Sequence, residues 1–271
     1  MTLPQPSELP PPLRTRVEQQ WRELQLGGDP KLPAAVHASL PLVWAASPFV
    51  AQHCLRDRGL LAGLVDSGDL QRAYSTDEFM NRLQADAVPA ATRSDLMRTL
   101  RLRRHRELVR IAWRDLAGWA PLEETLGELS DLADACVEVA LNWLERDFAA
   151  RHGAPLGETG QTSRLIVLGM GKLGGRELNF SSDIDLILAF DSHGDTPGPH
   201  PLSHEEYFTR LARTLGQLLS EKTSDGFVYR VDTLLRPFGK SGALVMHVDA
   251  MEQYYQRHGR EWERYALIKA R

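Results

Sequence analysis

Residues 169–186 read GMGKLGGRELNFSSDIDL, which is a glycine-rich turn followed by two aspartates placed two residues apart. Short apolar segments flank the turn, residues 164–168 before it and residues 184–190 after it. Both segments have the length and composition of β-strands. The stretch therefore predicts a strand, a tight turn and a second strand, with Asp183 and Asp185 at the start of the second strand.

The glycine letters at 169–174 fit the GxGxxG pattern of dinucleotide-binding turns, but the spacing excludes that function. The pattern must open a helix that returns to a parallel strand, and such a crossover needs about a dozen residues or more. Only residues 176–182 are available before the next strand. A P-loop is excluded as well, because Leu173 stands in place of Ser or Thr and Ile166 in place of the first glycine. The turn keeps backbone N–H groups that can form an anion-binding nest.

The aspartates carry the stronger functional signal. Alternate strand residues share a face, so Asp183 and Asp185 are predicted to project together, and Asp232 ends a further predicted strand at residues 227–232. Close carboxylates are costly to bury without a cation, and hard oxygen ligands favour magnesium or manganese. The alternative is that Asp183 caps a turn and Asp232 forms a surface ion pair. Three aspartates beside a glycine turn favour a two-metal site for phosphoryl chemistry.

The first part of the chain is predicted to be helical. Amphipathic patterns cover residues 14–26, 75–87, 93–113 and 122–148. The third segment carries a run of arginines that we interpret as a solvated or ion-paired surface, with docking of an acidic partner as the alternative. These arginines are Arg98, Arg101, Arg103, Arg104, Arg106 and Arg110.

The composition changes after this helical part. Residues 151–163 are predicted to be a linker, and helices are predicted from capping boxes that begin at Ser203 and Asp249. Two more strands are expected, at residues 227–232 and 243–248. A loop at residues 191–202, rich in Gly, Pro and His, matches no zinc-binding spacing and is expected to lie over the site.

The last residues, 268–271, continue a helical pattern, so the chain is expected to be a fragment of a longer protein.

Composition narrows the function classes. The 271 residues include 32 Lys and Arg against 36 Asp and Glu, a net charge of −4 that does not indicate a nucleic-acid partner. The two cysteines form no CxxC pair, which argues against a disulfide framework and fits a reducing cytosol. Residues 1–6 lack the features of a secretory signal, and no apolar run is long enough to span a bilayer. We expect a cytoplasmic protein that does not bind membranes.

Several longer motifs resemble those of the glutamine synthetase adenylyltransferase family. Residues 169–186 are similar to its signature, and most of the chain after residue 98 takes part in the resemblance. The spacing of the glycine turn and the three aspartates also resembles the polymerase-β-like nucleotidyltransferase superfamily. The other matching segments are residues 110–116, 235–244, 254–255 and 261–264.

This resemblance implies an α+β fold, in which a helical domain at residues 1–150 precedes a nucleotidyltransferase domain with a mixed sheet at residues 164–271. Family members carry two such catalytic domains. The C-terminal one adenylylates a tyrosine of glutamine synthetase with ATP, and the N-terminal one removes the AMP by phosphorolysis and releases ADP. One helical region follows the first methionine, so this chain resembles the N-terminal, adenylyl-removing part.

The resemblance also implies the partners and the metal. Glutamine synthetase, a nucleotide, phosphate and the PII signal protein are the expected partners. Asp183 and Asp185 are expected to hold two Mg²⁺ or Mn²⁺ ions, with Asp232 completing the set of ligands.

The expected phosphate ligands lie on either side of these aspartates. They are the N–H groups of Gly174 and Gly175 together with Ser182, while Arg236 and Lys240 hold phosphate or nucleotide or have a structural role. Two other functions stay open. One is ATP-dependent adenylylation by the same fold, and the other is a non-catalytic module that binds glutamine synthetase or PII.

Overall fold

The chain has an α+β fold, as predicted, in a computed structural model that describes residues 9–26, 31–157 and 159–271. Contacts within the chain define two compact units. We call the first one the helical unit; it contains the described residues up to Glu78 together with Leu102–Leu129. We call the second one the sheet unit; it contains Phe79–Arg101 and the described residues of Ser130–Arg271.

The helical unit starts with short amphipathic helices that bury one face each. Their first turns are capped where the sequence supplies an oxygen: Ser47 Oγ accepts from Val50 N at 3.3 Å, and Asp57 Oδ1 accepts from Gly59 N at 3.0 Å. No single described helix is long and apolar enough to cross a membrane, although the second and third together pass by length and composition, with a bend of 115° between them. The helices are α1 (Pro11–Gln25), α2 (Ala34–Ala46), α3 (Pro48–Arg56) and α4 (Arg58–Asp66).

Two long helices, α6 (Arg93–Leu116) and α7 (Leu122–His152), contribute to both units, and α5 (Glu78–Ala87) precedes them. Part of the arginine run on α6 is buried in ion pairs inside the helical unit. Arg110 contacts Glu107 at 3.0 Å and Glu128 at 2.7 Å, and Arg110 is fully buried.

The predicted ion pairing is confirmed for Arg103, Arg106 and Arg110, all of which contact Glu107. The predicted surface position is wrong for three members of the run: Arg101, Arg104 and Arg110 are buried. Carboxylates offset the cost of burying the charge of Arg110, and backbone carbonyls do so for Arg101.

The sheet unit contains a small mixed sheet built around one central strand. β1 (Ile166–Met170) pairs antiparallel with one edge of β2 (Ile184–Phe190). β3 (Val231–Asp232) and β4 (Val245–His247) pair in parallel with successive segments of the other edge of β2. The predicted mixed sheet is confirmed, and β2 has the predicted bounds. β1 is shifted by two residues from the predicted strand, and β3 and β4 are shorter than predicted.

β3 is short because the residues before it bond to a helix end. α9 (His204–Ser220) connects β2 to this segment. The N–H groups of Val228 and Tyr229 both donate to the carbonyl oxygen of Leu219, at 2.9 and 3.0 Å, so they are not free to extend the ladder. Pairing with β2 begins only where Ile184 N donates to Arg230 O at 2.9 Å.

α9 covers one face of the sheet and begins where the sequence predicts. Ser203 Oγ accepts from Glu206 N at 3.2 Å, which confirms the predicted cap. The apolar face of the helix is buried, and Phe208 stacks on Phe190 of β2 with 5.4 Å between ring centroids. The helix is thereby fixed on the strand that carries Asp185.

The C-terminal part of the chain departs from two predictions. The cap of α10 (Val248–Arg257) lies two residues before the predicted cap, Asp249, because the side chain of His247 caps the helix by accepting from Asp249 N at 3.2 Å. The helix expected at residues 268–271 is absent from the described structure, in which α11 (Glu261–Ala266) is followed by a 3-10 turn, Leu267–Lys269. Arg271 instead exchanges two backbone hydrogen bonds with Gly169, because the outer edge of β1 offers free N–H and C=O groups.

The predicted boundaries follow the secondary structure rather than the units. The predicted linker, residues 151–163, begins in the last two residues of α7 and ends before β1. The C-terminal part of α7 nevertheless belongs with the strands. Its Phe148 packs edge-on against Tyr207 of α9, with 5.7 Å between ring centroids, and both side chains are buried.

Arg101 tests how the sheet unit is held together. Its guanidinium donates to Gly226 O at 2.8 Å, Met97 O at 2.7 Å and Glu221 O at 2.5 Å, and the side chain is fully buried. Arg101→Met removes all of these hydrogen bonds from a fully buried position, so we expect the free energy of unfolding to fall by about 2–3 kcal/mol.

Urea denaturation followed by circular dichroism measures this loss, and Arg98→Met is the matched control. Arg98 is 73% exposed and lies 4.0 Å from Asp225, so its removal should cost at most about 0.5 kcal/mol. Equal effects of the two substitutions would contradict the assignment of Arg101.

Candidate active site

The glycine turn brings its backbone close to the side chain of Asp185 in β2. α8 (Gly171–Gly174) follows β1 directly, and Gly171 has a positive φ of 55°. A Cβ at position 171 would lie 2.9 Å from Asp185 Oδ2. Only glycine lets the turn pass the Asp185 carboxylate at this distance.

The segment between the turn and β2 is anchored on α7. Arg176, which also has a positive φ of 56°, pairs with Asp131 at 2.7 Å. Leu178 N donates to the buried Ser130 Oγ at 3.2 Å. These contacts fix the loop that leads to Asp183.

The structure places Asp185 beside Asp232. The two residues are direct partners in the parallel register of β2 and β3, so their side chains project from the same face of the sheet. Asp232 Oδ1 accepts from Leu234 N at 2.7 Å. Asp183, one residue before β2, forms an ion pair with Arg230.

The surroundings of Asp185 disfavour the charged form of its carboxylate. Burial raises the pKa of Asp185 above its ordinary value, and the neighbouring charges of Asp232 and Asp183 raise it further. The charge of Lys172 opposes this shift. A raised pKa for these reasons means that negative charge is insufficiently balanced here, which is the condition a divalent cation corrects.

The three aspartates are not gathered into one group. Among residues 9–26, 31–157 and 159–271, no set of three or more His, Cys, Asp or Glu side chains is arranged to hold a metal ion. At this site Asp183 is paired with Arg230, whereas Asp185 and Asp232 lie side by side in the strand register. Their carboxylate oxygens are ligands of the type that divalent cations prefer, and the raised pKa of Asp185 fits a place for such a cation.

The predicted phosphate ligands in and after the glycine turn differ in their contacts with the rest of the chain. Gly175 N donates to Gly171 O at 3.1 Å, so this N–H is already used within the turn. Gly174 packs against the backbone of Lys269, whose oxygen would lie 1.9 Å from a Cβ. Ser182 Oγ donates to Asn179 Oδ1 and lies 3.4 Å from Lys172 Nζ, so it is placed beside a cation.

Arg236 and Lys240 both lie in the loop after Asp232, but Arg236 makes hydrogen bonds within the loop whereas Lys240 is exposed. Arg236 donates to Thr233 O at 2.7 Å, Thr233 Oγ1 at 3.0 Å and Gly242 O at 3.3 Å. Its side chain therefore closes this loop, which supports the structural alternative for Arg236. Lys240 is exposed, and its predicted contact with phosphate or nucleotide stays a prediction.

Sequence reasoning missed two cations of the site. In the sequence, Lys172 is one letter of the glycine motif, and Arg230 lies in the strand predicted at residues 227–232. Arg230 contacts Asp183 across 47 positions of sequence, which no local pattern reveals. Its place two residues before Asp232 was the available signal.

The histidine-rich loop does not lie over the aspartates, so that prediction is wrong. The loop follows Phe190, the last residue of β2, whereas Asp185 lies near the first. Its His193 stacks on His247 with 4.0 Å between ring centroids, and His247 pairs with Phe190. These contacts hold the loop at the far end of the strand.

Comparison of the sequence with known proteins shows the family to which the chain belongs. Residues 37–271 match the family model described as glutamate-ammonia ligase adenylyltransferase. The chain belongs to the glutamate-ammonia ligase adenylyltransferase family.

Curated relatives in this family are each named bifunctional glutamine synthetase adenylyltransferase/adenylyl-removing enzyme. The chain is 52% identical to the one from Thioalkalivibrio sulfidiphilus over 86% of its length and 51% identical to the one from Nitrosococcus oceani over 90%. It is 46% identical to the one from Pseudomonas putida over its whole length. The matched regions are 24%, 25% and 29% of those relatives, so the chain spans about a quarter of their length.

The packing of Gly174 gives a test of the glycine turn. In Gly174→Ala the new methyl group meets the oxygens of Lys269 and Gly169, at 1.9 and 2.4 Å, both of them backbone atoms. Because backbone cannot move aside cheaply, we expect a loss of about 2–3 kcal/mol in the free energy of unfolding.

Gly216→Ala, in the middle of α9, is the matched control, because nothing lies within 4 Å of its added Cβ. There the substitution should be neutral or should stabilise by up to about 1 kcal/mol. Thermal denaturation of both variants measures the difference, and a Gly174→Ala variant as stable as Gly216→Ala would show that the turn is not packed as described.

Proposed function

We propose that the sheet unit is a nucleotidyltransferase catalytic domain that removes AMP from adenylylated glutamine synthetase by phosphorolysis. Phosphate oxygen would attack the α-phosphorus of the adenylyl-tyrosine phosphodiester, and the bond from phosphorus to the tyrosine oxygen would break. The products are ADP and a tyrosine side chain, whose oxygen takes up the proton that the attacking hydrogen phosphate loses. The names of the relatives support adenylyl removal, glutamine synthetase as the protein substrate and a setting in nitrogen metabolism, whereas phosphorolysis rests on the family resemblance.

The observation that carries the proposal is the side-by-side placement of Asp185 and Asp232 next to the glycine turn. Their charges are insufficiently balanced, as the raised pKa of Asp185 indicates. Carboxylate oxygens in this arrangement suit Mg²⁺ or Mn²⁺, and we propose these two residues as the ligands, with Asp183 as a third. The ion would supply neutralisation of the phosphodiester and of the departing tyrosinate.

The remaining residues would bind and orient the anions. Lys172 and Ser182 lie 3.4 Å apart beside the aspartates and are proposed to hold the incoming phosphate. The Gly171 turn leaves room for the Asp185 carboxylate and so keeps it directed into the site. Phosphate is anionic near neutral pH, so the reaction needs charge screening more than a strong general base.

A second candidate is the opposite transfer, in which ATP adenylylates glutamine synthetase and pyrophosphate is released. The family description and the first half of each relative's name favour it. Both reactions exchange substituents at the same phosphorus atom, so the aspartates serve either one. Regulation by the PII protein is a proposal that rests on the family resemblance alone.

Substitution of Asp185 tests the catalytic assignment. Asp185→Asn removes one of the two paired carboxylates, so we expect release of ADP from adenylylated glutamine synthetase, phosphate and Mg²⁺ to fall about 100-fold or more. Coupled detection of ADP measures the rate. The matched control is Asp195→Asn, an exposed aspartate in the loop beyond the far end of β2, which should retain full activity.

The same assay decides between the two directions. ADP that forms only with phosphate identifies phosphorolysis. Pyrophosphate from ATP, without ADP from the adenylylated substrate, would contradict the removal reaction and establish the transfer. Full activity of Asp185→Asn would refute the site itself.

Lys172 should affect phosphate more than the chemical step. Lys172→Gln keeps a side chain of similar length and loses the charge, so we expect the KM for phosphate to rise about tenfold, with kcat changed less. Lys222→Gln, an exposed lysine after α9, serves as the control and should behave like the unaltered protein. A lowered kcat with an unchanged KM for phosphate would count against phosphate binding by Lys172.

A further inference from the structure

The most distinctive contact of the site is made by Arg230. Its Nε donates to Asp183 Oδ1, and its Nη2 donates to the carbonyl oxygen of Ser181 at 2.8 Å. The guanidinium also lies 5.6 Å from the centre of the Phe227 ring. Three contacts on two separate segments hold this cation at the start of β2.

Asp183 is the member of the aspartate set that has such a partner. Asp232 accepts a backbone N–H from Leu234, and Asp185 has the more distant charge of Lys172. Asp183 is therefore held by a direct ion pair, whereas Asp185 lies beside the further negative charge of Asp232.

The ion pair between Arg230 and Asp183 can break at low cost. Its side chains are 54% and 48% exposed, and exposed ion pairs are weak because water screens them. Arg230 sits on the segment that enters β3, where its own carbonyl oxygen accepts from Ile184 N at 2.9 Å. The backbone on both sides of the pair is thus fixed by the sheet, and only the two side chains need to move.

We propose that Arg230 is a built-in counter-ion that holds Asp183 until a divalent cation displaces it. This inference rests on the proposed function, because it assumes that Asp183, Asp185 and Asp232 bind the cation. Arg230 keeps the Asp183 carboxylate in position, and that carboxylate becomes available to a cation at the cost of breaking the ion pair. It is a positioning residue that raises the cation concentration needed to assemble the site.

The competition is measured directly by Mn²⁺ binding to the full chain. Electron paramagnetic resonance of free Mn²⁺ gives the dissociation constant with no need for catalysis. Arg230→Gln should bind Mn²⁺ about two- to fivefold more tightly than the unaltered protein, since the competing ion pair is gone. Arg230→Lys, which keeps the charge, should stay close to the unaltered protein.

Two further variants separate competition from the general effect of losing a positive charge. Lys172→Gln removes a cation near Asp185 that is not bonded to Asp183, and it should tighten Mn²⁺ binding less than Arg230→Gln. In an Asp183→Asn background, Arg230→Gln should change the dissociation constant little, because the contested carboxylate is gone. Thermal denaturation of each variant checks that it is folded, and Arg230→Met, which also removes the charge, replaces Arg230→Gln if the glutamine variant does not fold.

The outcomes distinguish this inference from the proposed function. Mn²⁺ binding that is lost in Asp185→Asn but unchanged or weakened in Arg230→Gln would overturn the role of Arg230 and leave the metal site intact. An equal tightening with and without the Asp183 carboxylate would overturn it too. Mn²⁺ binding that does not depend on Asp185 would overturn both the inference and the proposed metal site.

Discussion

The parallel pairing of Asp185 with Asp232 is the constraint on which the rest of the site depends. Parallel neighbours cannot be joined by a short turn, so the chain must leave β2, cross the sheet face as α9 and return to the start of the strand. The return is fixed where Leu219 O accepts two N–H groups and where Arg101 donates to the carbonyls around Gly226. A shift of one residue in this connection would turn Asp232 to the other face of the sheet.

The second constraint is the space around Asp185. Two carboxylates brought together must be kept close enough to share a cation and open enough to admit it. The turn at Gly171 meets this requirement because it passes Asp185 without a side chain. The charge that remains is visible in the raised pKa of Asp185, and Arg230 balances only the carboxylate of Asp183.

Local patterns predicted the parts of the fold that local forces decide. The capping serine of α9, its apolar spacing and the apolar run of β2 were all legible, because each depends on neighbours in sequence. The spacing of the aspartates also predicted that Asp185 and Asp232 come together. The motif at residues 169–186 is long enough to indicate the family that the comparisons show.

Features that depend on distant contacts could not be predicted. Arg230 reaches Asp183 across 47 positions, and Arg271 pairs with Gly169 at the edge of β1 where a helix was expected. The burial of Arg101 depends on carbonyls more than 100 positions away, at a helix end whose location only the fold defines. The histidine loop was misplaced because the sequence does not show whether the loop folds back towards the aspartates or stays at the far end of β2, where His193 stacks on His247.

The central claim is that Asp185 and Asp232 together hold a divalent cation. A crystal structure of the chain grown with Mn²⁺, with an anomalous difference map at the manganese edge, tests it most directly. We predict an anomalous peak about 2.0–2.6 Å from carboxylate oxygens of both Asp185 and Asp232. Manganese bound elsewhere on the chain, with these two carboxylates free of it, would contradict the account.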